Sequence, residues 1–297
     1  MKNIVKTFLA CALLLLVGAS FAQTDDNEEL KIAALEALMT APPERALPIV
    51  KKVLSGNDSD EIKSRALFIL SQISLPEAQA ALIDAARNTS GELRMEAIRM
   101  IGISGNPEAL SGLSDLYESG DSEVRDAVLE AYLIAGDSDA IYQIAINSQD
   151  PKEYEIAVHM LSAMGALEHL RTLGERGDMS ETLINAYAVA GDVESLRVHA
   201  NDASNPEIQV QAITALGIAG GPEVNASLVE IYRGSESPEV REAALDGMMI
   251  AGYDEGVLEL FRASQDTEEK RRLLQMLVMM DSDAVWDVID ATLGNQQ

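Results

Sequence analysis

A motif returning about every thirty residues constrains this chain more than any other feature. From Glu92 to Gly105 the order is an acid, an aliphatic residue, a base, an apolar run and a closing glycine. The stretches Glu123 to Gly136, Glu207 to Gly220 and Glu239 to Gly252 repeat it, with Gln209 standing where the others carry a base. Followed along the chain, the closing position falls at Pro42, Ser74, Gly105, Gly136, Gly165, Gly191, Gly220, Gly252 and Asp281, in steps of 32, 31, 31, 29, 26, 29, 32 and 29 residues. Self-similarity at such a period means a stack of supersecondary units, each unable to bury its apolar face alone. Nine units run from about Glu28 onward and leave no stretch for a separate catalytic domain.

Each unit reads as two helices. In one, Val224, Leu228, Ile231 and Tyr232 follow the i, i+4, i+7, i+8 spacing of a single apolar stripe, and Leu110, Leu113, Leu116 and Tyr117 do the same. In the other, Val240, Ala244, Gly247, Met248 and Ala251 share a face that Leu245 and Met249 widen, so that helix needs cover on more than one side. Gly105, Gly136 and Gly220 suit the left-handed residue that ends a helix, while Ser237-Pro238-Glu239 and Asp121-Ser122-Glu123 suit helix entries. No segment alternates apolar and polar over strand length between turn signals. The expected fold is all-α, an α-solenoid.

Pro238-Glu-Val-Arg-Glu-Ala-Ala-Leu and Glu123-Val-Arg-Asp-Ala-Val-Leu resemble the second helix of HEAT repeats, especially the short HEAT-like repeats of phycobilin lyase subunits. The resemblance covers nearly all of the chain beyond residue 22, in one domain over 23–297, and is specific for fold but not for function. It implies a right-handed superhelix of about nine two-helix repeats. It further implies that the helix with the Val-Arg pair lines an inner, concave surface, its base bonding an acid in a neighbouring turn. Carried over, the candidate partner-binding residues are Lys31, Lys63, Arg94, Arg125, Arg241 and Lys270. The pattern departs at Tyr154, Ser180 and Gln209, and the 26-residue step before Gly191 marks the middle units as shortened.

Residues 1–22 stand apart. Lys2 and Lys6 precede an uncharged apolar run from Phe8 to Val17, and Ser20-Phe21-Ala22 places small residues where a signal peptidase reads. The expectation is a secretory signal cleaved near Ala22, and a mature protein that is periplasmic or secreted. The run is too short for a spanning helix, which needs about 20 residues, and no other segment is suited to crossing a membrane. Cys11 is poorly placed for lipidation because Phe8 stands where an aliphatic residue belongs. It is also the chain's one cysteine, so the mature protein depends on no disulfide.

The chain carries 49 acidic and 22 basic residues, a net charge of −27. Removing Lys2 and Lys6 with the leader takes that to −27 − 2 = −29. Such a field repels nucleic acid and anionic lipid, and favours a protein or peptide partner that is itself basic.

Groups for chemistry are sparse. His159, His169 and His199 have no metal-ligand spacing, and Glu155 with His159 reads as an ordinary i, i+4 helix pair. There is no Gly-x-Ser-x-Gly elbow and no phosphate-binding Gly-x-x-x-x-Gly-Lys loop. The acidic turns at Asp58, Asp137 and Asp281 lack the twelve-residue spacing of a calcium hand and read as helix caps. The expectation is no catalytic, cofactor or metal site, and a non-enzymatic scaffold that binds protein in the periplasm or outside the cell. Two alternatives remain at this level: a subunit or regulator of a lyase-like enzyme, implied by the resemblance, and an acidic cation-binding protein.

Overall fold

The computed structural model describes residues 27–177 and 179–294, and among them all regular structure is helical. The expected leader, with Cys11 and the cleavage point, lies outside the described residues. The chain divides into two compact units, one ending at Asp137 and the other beginning at Ser138.

The first unit contains α1 (27–38), α2 (Pro43–Leu54), α3 (Asp60–Ser71), α4 (Pro76–Asn88), α5 (Gly91–Ser104), α6 (Pro107–Ser111), α7 (Ser114–Ser119) and α8 (Ser122–Ala135). Here α2 packs on α3, α4 on α5 and α7 on α8, each a first helix against the second helix of its own repeat. The second helices α3, α5 and α8 also pack side by side and form an inner layer.

The second unit holds α9 (Ser138–Asn147), α10 (Pro151–Ala163), α11 (Leu167–Glu175), α12 (Glu181–Ala190), α13 (Val193–Ala200), α14 (Pro206–Ala219), α15 (Pro222–Gly234), α16 (Pro238–Ile250), α17 (Asp254–Ala263), α18 (Thr267–Met279) and α19 (Ala284–Gly294). Its inner layer runs α10, α12, α14, α16, with α9, α11, α13, α15 and α17 each against the second helix of its repeat. Both units are therefore α-solenoid in construction.

Local chemistry places the helix ends where the sequence puts them. Side-chain oxygens of Ser59, Asp121, Asp150, Ser180, Asn205, Ser237 and Asp266 accept from backbone N–H groups of the first turn of α3, α8, α10, α12, α14, α16 and α18. At the other end, the closing position has positive φ in Gly105, Gly136, Gly165, Gly191, Gly220 and Gly252, and in Asp281 at 54°. Left-handed geometry there returns the chain toward the next helix. Gly220 departs from the left-handed expectation in ψ, which is −176°, and Gly221 follows at φ 102° and ψ 158°. That two-residue link lies in backbone space open only to glycine.

Two further differences have clear causes. The single first helix expected over Leu110 to Tyr117 is broken into α6 and α7: around Gly112 the N–H groups of Gly112 and Leu113 bond carbonyls three residues back, those of Ala109 and Leu110. The hydroxyl of Tyr132 reaches across from α8 to the Leu110 carbonyl at 3.4 Å, satisfying an acceptor at the break. The expected shortening of the middle is a lost helical turn, since Ser180, which aligns with Arg94 and Arg125, is itself the cap of α12.

Packing within the inner layer brings backbones into contact. A Cβ on Gly102 would stand 2.7 Å from the Ala131 Cα, and one on Gly217 would stand 2.3 Å from the Gly247 carbonyl oxygen. Both glycines lie one turn or less from the end of a second helix, so neighbouring repeats come into backbone contact there.

Candidate partner-binding surface

The six basic positions share a register, and the structure turns most of them back onto their own repeats. Arg94 Nε donates to the Ala86 carbonyl at 3.0 Å, Arg125 Nε to Tyr117 at 3.2 Å and Arg241 Nε to Ser235 at 2.8 Å. Those carbonyls end the first helix of the same repeat, where backbone acceptors lack intrahelical partners and a cation is favoured. Gln209 fills the position in α14 and does the same, donating to Ala200 at 3.0 Å. A donor of the right reach, not a charge, is what the register requires. Arg125 and Arg241 also lie over the rings of Tyr117 and Tyr232, and Lys270 over Phe261. Lys31 bonds Asp58 at 2.5 Å and Arg241 approaches Glu269 at 3.8 Å, the neighbouring-turn acids that the resemblance implies. Lys63 is half-buried on α3.

Three groups with displaced pKa values, Tyr132, Tyr187 and Asp192, are structural as well. Burial pushes Tyr132 and Tyr187 up to about 12, with nearby Asp137 and Asp192 adding to it, and both hydroxyls bond carbonyls of first helices. Neither is an acid or base near neutral pH. Burial pushes the Asp192 carboxyl up, but hydrogen bonds from Arg171 and Ser195 and the guanidinium charge outweigh it and hold the group below its usual range. His159 lies 3.7 Å from Glu155 one turn away, and His169 bonds Asp139 at 2.9 Å. No group of three or more His, Cys, Asp or Glu among the described residues is placed to hold a metal, and no described helix is long and apolar enough to cross a membrane.

A different row of side chains is open to solvent. The residue two places before the closing glycine is aliphatic and exposed in Ile103 and Ile134 of the first unit, and in Val189, Ile218 and Ile250 of the second. Val189 is 62% exposed and Ile218 52%. Because α12, α14 and α16 pack side by side, the last three form consecutive rungs of one row near the helix ends. In Asp281's repeat Met279 takes the same place, 69% exposed, and in α10 it is Ala163. Singly exposed aliphatics are ordinary, but a register-locked row of them is a patch.

Except at Met279, which Ala284 follows, each rung is followed five residues later by a carboxylate in the first turn of the next helix. The pairs are Ile103 with Glu108, Ile134 with Asp139, Ala163 with Glu168, Val189 with Glu194, Ile218 with Glu223 and Ile250 with Glu255. These six acids are exposed, and among the described residues Asp139 alone is held in an ion pair, with His169. An acid at a helix start is explained by the dipole alone; an exposed aliphatic beside it is not. The first unit adds an apolar groove of about 550 Å³, floored by Leu35, Ile69 and Met100, with Met39 and Phe68 on its rim. The Arg65–Glu36 ion pair at 3.2 Å joins α3 to α1 at its edge.

The row lies within the apolar run of the sequence motif. That motif ends in Ile-Ser-Gly, Ile-Ala-Gly or Val-Ala-Gly, and the residue two before the glycine continues the apolar run. At 3.6 residues per turn it lies about 200° around the helix from the buried residue two places earlier, such as Ile101 or Leu216. Helical phase, not hydrophobicity, separates the two. The same holds for Met249, expected on the buried arc and 42% exposed. Near the C-terminus Met248 and Met276 are core, whereas Val278, Met279 and Trp286 are exposed.

Comparison with known proteins is consistent with this construction. Residues 47–132 match the family model for HEAT repeats. No curated protein sequence matches significantly. Among solved structures, the chain is similar to the complex of CpcE and CpcF of phycocyanin lyase from Nostoc sp. PCC7120, at 18% identity over 81% of this chain and 95% of that one, with a TM-score of 0.34. Human deoxyhypusine hydroxylase is similar at 19% identity over 77% and 98%, TM-score 0.32, and a designed armadillo repeat protein at 20% over 79% and 99%, TM-score 0.22. At these values the likenesses carry nothing about activity. Residues 47–132 thus match HEAT repeats, and the same helix-pair register runs through both units, each of them α-solenoid in construction.

Proposed function

We propose that this protein is a non-enzymatic scaffold that binds another protein through the inner-layer helices of its repeats, in the periplasm or outside the cell. The observation that carries the reading is the exposed aliphatic row at one register position, Val189, Ile218 and Ile250 foremost. Repeat proteins use the continuous surface made by stacking to hold partners, and a patch that costs solubility without serving the core is best explained by a partner that covers it. The perturbed tyrosines and the buried aspartate all serve packing between helices, which supports a binding role over a catalytic one. Localisation rests on the leader-like residues 1–22.

The test is capture in the native compartment. Tagged protein is purified with its partners, beside a variant carrying Ile218→Ser and Ile250→Ser. The proposal expects a protein recovered with the parent and depleted at least tenfold with the variant, the two having equal melting temperatures. Equal recovery with both would place binding elsewhere, and turnover of a small molecule by the purified chain would remove the non-enzymatic reading.

A further inference from the structure

We infer that the row formed by Val189, Ile218 and Ile250 takes a basic amphipathic helix, whose aliphatic residues recur every seven positions and whose lysines or arginines face Glu194, Glu223 and Glu255. This rests on the scaffold reading and names the chemistry of its partner. Two independent features of the surface specify it, spacing and charge.

Spacing comes first. Helices packed side by side lie about 8–10 Å apart, so the rungs on α12, α14 and α16 follow one another at roughly that interval. A β-strand shows alternate residues on one face every 6.8 Å or so, short of that interval. An α-helix returns to the same face after seven residues, a rise of about 10.5 Å. One helix laid along the row therefore seats an aliphatic residue on each rung. At α16 the exposed Met249 lies beside Ile250, widening that rung.

Charge comes second. Glu194, Glu223 and Glu255 stand five residues after the rungs, in the first turns of the following helices, exposed and without an ion pair among the described residues, with the Arg171 guanidinium acting on Glu194. On the other side, one turn before each rung on the same helix, stand Asn185, Thr214 and Asp246. Burial, and then the charge of Glu242, pushes the Asp246 carboxyl above its usual range. The Arg272 guanidinium acts against that rise. No basic residue occupies a rung, a rung-plus-five position or a rung-minus-four position in these three repeats. The surface is therefore complementary to a segment with an apolar stripe beside a cationic edge that faces Glu194, Glu223 and Glu255, and disfavours an acidic one.

The probe is the 21-residue peptide (Leu-Lys-Lys-Leu-Ala-Lys-Ala)3, about 31 Å long as a helix, titrated into the mature chain at physiological ionic strength. A scrambled peptide of identical composition controls for charge alone. The inference expects the patterned peptide to bind at least tenfold more tightly than the scrambled one, and to gain helical far-ultraviolet dichroism on binding. Ile218→Ser with Ile250→Ser should weaken it at least tenfold, and Glu223→Gln with Glu255→Gln should weaken it and flatten its salt dependence. Equal binding of the scrambled peptide, or unchanged binding by the serine variant, overturns the inference. So does a dimer in sedimentation that reverts to monomer in the serine variant, which would give the row to a second copy. A native partner captured through the row with an acidic bound segment would overturn this inference and leave the scaffold reading standing.

Discussion

Replacing Gly217 with valine is expected to lower the stability of the protein by more than about 3 kcal/mol. A Cβ at this position meets the Gly247 carbonyl oxygen at 2.3 Å and its Cα at 2.6 Å. The obstacle is backbone, so no side chain can rotate away, and α14 and α16 must separate along the layer where repeats are in backbone contact. Overpacking typically costs 1–3 kcal/mol, and more where the surroundings cannot yield. Alanine is the sharper comparison. In a helix interior Gly→Ala gains up to about 1 kcal/mol from propensity, so an open site would be stabilised. At Gly217 the clash outweighs that gain, and Gly217→Ala should still lower the thermal midpoint by several degrees, at roughly 2–4 °C per kcal/mol for a chain of this size. Gly234, where nothing stands within 4 Å, is the control and should be neutral or slightly stabilised. A rise in midpoint for Gly217→Ala would show that the two helices are not in backbone contact.

Asp192 should be the most costly single charge to remove. Its side chain is 1% exposed, and both oxygens accept from Arg171, Nε and Nη2 each at 2.7 Å. It also accepts from the Ser195 N–H at 3.2 Å and the Ser195 hydroxyl at 2.7 Å, capping α13. Asp192→Ala loses a cap, typically about 1 kcal/mol, together with a charge-assisted pair, and breaking a buried pair costs about 3–5 kcal/mol. Since Arg171 stays half in water and is not left as a buried charge, the low end of that range is expected, about 3 kcal/mol in all. The pH dependence has a definite sign. The native carboxyl is held below its unfolded value, so its contribution is complete above about pH 4 and is lost as pH falls through the native pKa. Asp192→Asn removes that part of the acid sensitivity, and its stability curve should be flatter below pH 4 than the parent's. Parallel curves for the two would contradict the assigned pairing.

How far these features are legible in sequence depends on the physics behind each. Helix ends are local: Ser237 and Asp121 cap the helices they precede, and Gly105 and Gly136 carry the positive φ that ends the helices before them. The repeat register is local too, and it brings Gly102 and Gly217 to the inner layer. The close approach of Gly217 to Gly247 is not local, because both glycines read as weak points of a helix until two helices are laid together. The basic residues fell in a shared register for a reason sequence could not supply, namely the carbonyls of Ala86, Tyr117 and Ser235 coming within reach. Gln209 makes this plain, since it breaks the charge pattern and keeps the bond. The apolar row was hidden differently. Ile218 and Leu216 are equally hydrophobic, and only their 200° separation around α14 tells the exposed one from the buried one.

Hydrogen exchange on the mature chain, with and without its captured partner, tests the central claim most directly. If the partner covers the row, added protection should be confined to the C-terminal halves of α12, α14 and α16 and the first turns of α13, α15 and α17, where Val189, Ile218, Ile250 and their paired acids lie. Protection centred on the C-terminal ends of α13, α15 and α17, with the inner helices unchanged, would contradict it.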